Sequence, residues 1–135
     1  MKRLVCLGAI LTLSWLAVFL LAEKRAPASL DAPPTFAKDI APIVYRQCAP
    51  CHRADGPAPF SLVTYAEARQ RATQIAAVTK RRYMPPWKPE EGFGAFIGER
   101  RLTDAEIDVI DRWVGTGMVE GDAADLPPPP RLTAA

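Results

Sequence analysis

Apolar side chains along this chain fall into one long unbroken run followed by three stretches at helical spacing. The run is Leu4 to Ala22, 19 residues without a charge, preceded by Lys2 and Arg3. Further on, Phe36, Ile40, Ile43 and Val44, with Gln47 closing the stripe, recur every three or four positions and predict an amphipathic helix. Pro42 is tolerated only in a first turn, so this helix is expected to begin near Asp39. Thr64-Tyr65-Ala66-Glu67 reads as a capping box, in which the hydroxyl caps the first turn and the carboxylate reaches back to the cap amide. The helix it opens carries Ala68, Ala72, Ile75 and Val78/Thr79 on one face and must end before Pro85-Pro86. A second capping box, Thr103-Asp104-Ala105-Glu106, precedes the stripe Ile107, Ile110, Trp113 and Val114, with Gly115 and Gly117 as the stop. The stretches 53–63 and 85–101 are rich in Gly and Pro and show no two-residue alternation, so no sheet is expected. The fold class is all-α, three main helices with long loops.

The basic start and the apolar run match a secretory signal, and at about 1.5 Å per residue the run is also just long enough to cross a bilayer. Residues 1–22 are therefore read as a signal peptide or an N-terminal membrane anchor. Either puts the rest of the chain outside the cytoplasm, in the periplasm or an equivalent space, free or tethered through residues 4–22. Residues 23–35 read as a linker, 36–126 as the globular domain and 127–135 as a Pro-rich tail.

Composition narrows the function classes. A formal net charge of +2 over 135 residues is too weak for a dedicated nucleic-acid binder. Three Cys cannot build a disulfide framework, and a single His excludes any site needing two imidazoles. A domain spanning 36–126 is small for a self-sufficient core, and a large bound apolar group would help it. Charge is segregated: 46–88 is basic and 90–125 acidic, read either as solvated helix faces or as a positive rim that steers an acidic partner.

The chemistry lies in Cys48-Ala49-Pro50-Cys51-His52. Two thiols three residues apart can reach the two vinyl groups of one haem, and the adjacent imidazole can then ligate the iron from below. Two other readings exist. A redox-active Cys-x-x-Cys normally lies between a strand and a helix that lowers the first thiol's pKa, whereas here a helix precedes the pair. A zinc site would need a fourth ligand. With His52 used as one axial ligand, the other could be Met84, Met118, a Lys or water. Met84 lies 32 residues after His52 and is followed by two prolines that would hold a ligand loop rigid. The proximal imidazole is expected to donate its second N–H to a backbone carbonyl, with Gly56-Pro57 or Ala58-Pro59 as the candidate loop.

Over residues 36–121 the sequence resembles the class I c-type cytochromes: a helix entering Cys48-x-x-Cys51-His52, a middle helix, a Met-Pro and a last helix with Ile110 and Trp113. Phe36-Ala37-Lys38-Asp39-Ile40-Ala41-Pro42-Ile43 and Met84-Pro85-Pro86-Trp87 resemble a bacterial subgroup of small cytochrome domains. The resemblance implies a cytochrome c-like fold around one covalently attached haem c. Its attachment residues would be Cys48 and Cys51, and its axial ligands His52 and Met84. It implies a single-electron carrier that is not an enzyme, exchanging electrons with redox partner proteins. Trp87, Tyr83, Arg81 and Arg82 would face the propionates, and Phe60, Phe93 and Phe96 would pack on the macrocycle. The alternatives are a haem-based sensor or weak peroxidase with a labile distal ligand and, from another class, a thiol–disulfide oxidoreductase using the Cys pair.

Overall fold

The computed structural model describes residues 32–131 apart from 88, 90 and 91. The signal or anchor expected over 1–22, most of the linker and the last four residues of the tail lie outside the described residues. The first helix, α1, runs through three consecutive stretches, Phe36–Ile40, Ala41–Ile43 and Val44–Cys48, the outer two wound as wide π-type turns. Bonds there reach five residues back, from Ala41 N–H to the Phe36 carbonyl and from Ala49 N–H to the Val44 carbonyl. Widened turns on both sides accommodate Pro42, whose ring would otherwise press on the carbonyl four residues back.

α1 starts at Phe36, earlier than the expected Asp39. The cause is distant in sequence. The N–H groups of Phe36 and Ala37 donate to the carbonyls of Val119 and Glu120, both at 2.8 Å, so the chain after the last helix satisfies the open end of the first. Thr35 caps locally: its hydroxyl accepts from Lys38 N–H at 3.3 Å, and the Asp39 carboxylate accepts from Thr35 N–H at 2.8 Å. Gly121 packs so tightly on Thr35 that a Cβ there would lie 2.6 Å from the hydroxyl oxygen.

Helices α2 (Tyr65–Gln70) and α3 (Ala72–Lys80) replace the single middle helix the sequence predicts. The break is Arg71, at φ −114° and ψ 10°. Helix α4 covers Asp104–Gly115. Both predicted capping boxes form, Thr64 with Glu67 and Thr103 with Glu106. α4 ends as a Schellman turn, with Gly117 at φ 98° and Met118 N–H donating to the Trp113 carbonyl at 2.9 Å. A short 3-10 turn, Ala123–Asp125, follows. The described residues contain helices, turns and no strand, an all-α fold; no helix among them is long and apolar enough to cross a membrane.

α1 supplies Phe36, Ile40 and Val44 to the core, α2 and α3 supply Ala68, Ala72 and Ile75, and α4 supplies Ile110 and Trp113. Trp113 is fully buried, its ring 6.2 Å from that of Phe36 and its Nε1–H donating to the Val119 carbonyl at 3.0 Å. The contact expected between first and last helices is thus centred on this indole. The segregated charges meet in three dimensions: Arg46 pairs with Glu106, Arg82 with Asp104, and Lys80 with Asp111 at 3.4 Å. Part of the basic segment is therefore compensated inside the fold by α4.

Candidate functional site

α1 delivers the Cys-x-x-Cys-His segment. At its end Cys51 N–H and His52 N–H both donate to the Cys48 carbonyl, at 3.1 and 2.8 Å, which winds the three side chains into one tight turn. The chain then doubles back: Ala58 N–H donates to the Cys51 carbonyl at 3.2 Å and Leu62 N–H to the His52 carbonyl at 3.1 Å. This return requires glycine at position 56, because a Cβ there would lie 2.2 Å from the Cys51 carbonyl oxygen.

His52 Nδ1 lies 3.1 Å from the Phe60 carbonyl oxygen. A carbonyl only accepts, so in the neutral ring Nδ1 carries the proton and Nε2 keeps its lone pair. The carbonyl therefore comes from Phe60, beyond the two Pro-containing pairs expected to supply it; the folded-back loop brings a later residue under the ring. The Phe60 side chain packs on the same imidazole, with ring centroids 4.6 Å apart, and the Arg71 guanidinium lies 3.9 Å from the Phe60 centroid.

A second wall is built by the end of α3. That helix also closes as a Schellman turn: Tyr83 N–H donates to the Val78 carbonyl at 2.9 Å and Arg82 N–H to that of Thr79 at 2.8 Å. The residue in the left-handed position is Arg82, at φ 53°, where glycine is usual. Its guanidinium donates to the Leu102 carbonyl at 3.1 Å and pairs with Asp104, which ties the α3 terminus to the start of α4. Met84 follows directly, its N–H 3.3 Å from the Val78 carbonyl.

Between these walls lies a cavity of about 300 Å³ lined by Cys48, Cys51, His52 and Met84 together, with Ile75 and Val78 of α3 among its walls. A second lobe of about 190 Å³ shares His52, Ile75, Val78 and Met84 and adds Phe60, Arg71 and Tyr83. The lining is largely apolar and the size suits a flat organic group. Among the described residues no three Cys, His, Asp or Glu side chains converge on a point where a lone ion would sit. Met118, the other methionine weighed as a ligand, packs against the core, and its carbonyl accepts from the Tyr65 hydroxyl at 2.9 Å.

Among the described residues, Gln47 Oε1 and Arg100 Nε of the cavity lining are buried without a partner, as is Trp87 Nε1. An arginine with a buried, unpaired donor in an apolar wall fits a ligand that ends in an anion. Sequence reasoning missed Arg100, since nothing local distinguishes it from Arg101, which bonds the Pro89 carbonyl and Glu99. Arg81 and Arg82 are engaged elsewhere, Arg81 with the Ala77 carbonyl at 3.2 Å. Phe93 and Phe96 stand exposed on a loop whose Gly92, Gly94 and Gly98 all have positive φ. Phe96 makes an edge-on contact with Trp87 at 6.0 Å, and neither phenylalanine lines the cavity.

Burial pushes the Cys48 thiol up to about 12, with the charges of Cys51 and Glu106 adding to the shift. A scan against protein-family models finds no match, and searches of curated proteins and of solved structures find none either.

Proposed function

We propose that this protein is a monohaem c-type cytochrome that carries single electrons outside the cytoplasm. The observation that carries the reading is the convergence of Cys48, Cys51, His52 and Met84 on one largely apolar cavity, although Met84 is far from the others in sequence. Cys48 and Cys51 would hold the haem, since a thiol S–H can add across a vinyl group with one C–S and one C–H bond formed and no oxidant needed. His52 offers a free Nε2 lone pair because its Nδ1 proton is committed to the Phe60 carbonyl. Met84 would offer a thioether from the lining of the same cavity, and Arg100 would offer its buried Nε–H to a propionate.

Bound there, haem supplies a one-electron Fe(III)/Fe(II) couple. With His52 and Met84 as its protein ligands, the iron would favour the ferrous state relative to two imidazoles and would be ill suited to oxygen chemistry. An electron carrier, not an enzyme, is the role this supports, with redox proteins as partners. The Cys48 thiol, protonated at neutral pH, works against the thiol–disulfide reading, whose nucleophile must be a thiolate.

The test is the oxidised spectrum of the chain matured in a host with c-type assembly machinery, for wild type and Met84→Ala. A far-red charge-transfer band present in wild type and lost in the variant is expected. Its absence from both would remove Met84 from the iron and, with it, the closed-iron carrier role.

A further inference from the structure

Phe60 touches His52 twice, through its carbonyl on Nδ1 at 3.1 Å and through its ring at 4.6 Å between centroids. One residue therefore sets both the tautomer of the imidazole and its rotation about the chain. Phe60 is itself held by Arg71, whose guanidinium lies 3.9 Å from the ring centroid, close enough for a cation–π contact. Arg71 occupies the break between α2 and α3, where the chain leaves helical geometry at φ −114° and ψ 10°. The break places a long cationic side chain against the loop that follows the Cys-x-x-Cys-His turn. Unlike Arg46, Lys80, Arg82 and Arg101, Arg71 makes none of the ion pairs found among the described residues.

We propose that Arg71 is a positioning residue for the proximal ligand and raises the reduction potential of the bound iron, acting through Phe60 on His52. This rests on the haem-binding reading of the cavity. Two effects run in the same direction. Clamping Phe60 holds the imidazole in one orientation, with Nδ1 on the Phe60 carbonyl and the ring packed on the Phe60 side chain. The guanidinium charge, at most about 9 Å from the imidazole centroid, favours the iron state of lower positive charge, Fe(II). At an effective dielectric near 20, a unit charge about 9–12 Å from a bound iron would shift the oxidised-to-reduced ratio by roughly ten- to twentyfold.

The experiment uses the matured full chain as wild type, Arg71→Lys, Arg71→Gln and Phe60→Leu, with potentials from spectroelectrochemical titration at low and high salt. Arg71→Gln should favour the ferric state about tenfold over wild type. Arg71→Lys, which keeps the charge, should stay within about threefold. Phe60→Leu keeps the backbone carbonyl and removes the ring; it should shift the same way as Arg71→Gln and alter the hyperfine-shifted proton pattern of the His52 ring. Wild-type potential should fall as salt rises, and that slope should be smaller in Arg71→Gln.

An Arg71→Gln protein with the wild-type spectrum and a potential within twofold of wild type would overturn the proposal. If Arg71→Gln fails to mature, Phe60→Leu decides: an unchanged potential and ring pattern overturn it equally. A wild-type chain with no covalent haem would be a separate failure, visible before any potential is measured, and would remove the underlying reading along with this one.

Discussion

Arg82 holds the left-handed position at the end of α3 with a side chain that glycine lacks, so two substitutions separate its conformational cost from its contacts. Arg82→Ala removes the pair with Asp104, whose side chains are 48% and 89% exposed, and the bond to the Leu102 carbonyl. The exposed pair contributes about 0.5 kcal/mol. The hydrogen bond, partly solvated, contributes about 1 kcal/mol. Alanine keeps the steric cost of a Cβ at φ 53°, so this variant should lose roughly 1.5 kcal/mol. Arg82→Gly loses the same contacts but is relieved of about 1 kcal/mol of left-handed strain, which leaves a net loss of roughly 0.5 kcal/mol. The glycine variant should therefore be the more stable by about 1 kcal/mol, the reverse of the usual order of these residues in a helix. Urea unfolding of the matured full chain, followed by far-ultraviolet circular dichroism, reads this as a midpoint higher by roughly 0.5–1 M for glycine. An alanine variant as stable as the glycine variant would refute the Schellman geometry at Arg82, and with it the account of how the chain turns towards Met84.

Three further outcomes follow from the site and its supports. Gly56→Ala forces a Cβ into the Cys51 carbonyl at 2.2 Å, so thermal unfolding should register a loss of about 1–3 kcal/mol, whereas Gly115→Ala, with open space around it, should lose nothing. Burial raises the Glu67 carboxyl, but bonds from the Thr64 N–H, the Ser61 and Thr64 hydroxyls and the Val63 N–H outweigh it and hold Glu67 below its ordinary value of 4.5. A depressed carboxylate stabilises the fold above that value and loses its contribution as pH falls through the folded one. The advantage of wild type over Glu67→Gln should thus be full at pH 7 and shrink below about pH 4.5; a gap constant from pH 3 to 7 would rule this out. Arg100→Leu, which removes the unpaired donor from the cavity wall, should lower the potential by about 1–2 kcal/mol of redox free energy while haem stays attached. Arg101→Leu should leave the potential unchanged, and equal behaviour of the two variants would argue against an anion at Arg100.

The parts of the fold that were legible in the sequence are those whose partners are sequence neighbours. Thr64 with Glu67 and Thr103 with Glu106 satisfy helix ends within four residues, so both starts could be read directly. Gly117 announced the end of α4 because the left-handed turn it serves is local. The start of α1 was not legible, since the groups that complete it are the carbonyls of Val119 and Glu120 at the far end of the domain. Arg71 interrupts a stretch whose apolar spacing continues without a gap, and no Gly or Pro marks the break. The site divides the same way. Cys48, Cys51 and His52 stand in a motif with a chemical reason for its spacing, and Met84 is marked by the prolines after it. The Phe60 carbonyl and the Arg100 side chain reach the cavity only through the return of one loop and the packing of another. Phe93 and Phe96 misled because aromatic character predicts burial, while three glycines with positive φ carry them away from the cavity.

The most direct test of the central claim is whether the matured full chain carries haem by covalent bonds through Cys48 and Cys51. The intact mass should exceed that of the polypeptide by one haem, and the absorbance should stay with the protein after acid-acetone extraction. Both signals should be absent from the Cys48→Ala/Cys51→Ala double variant. A wild-type mass equal to the bare polypeptide, or colour that leaves with the solvent, would contradict the account.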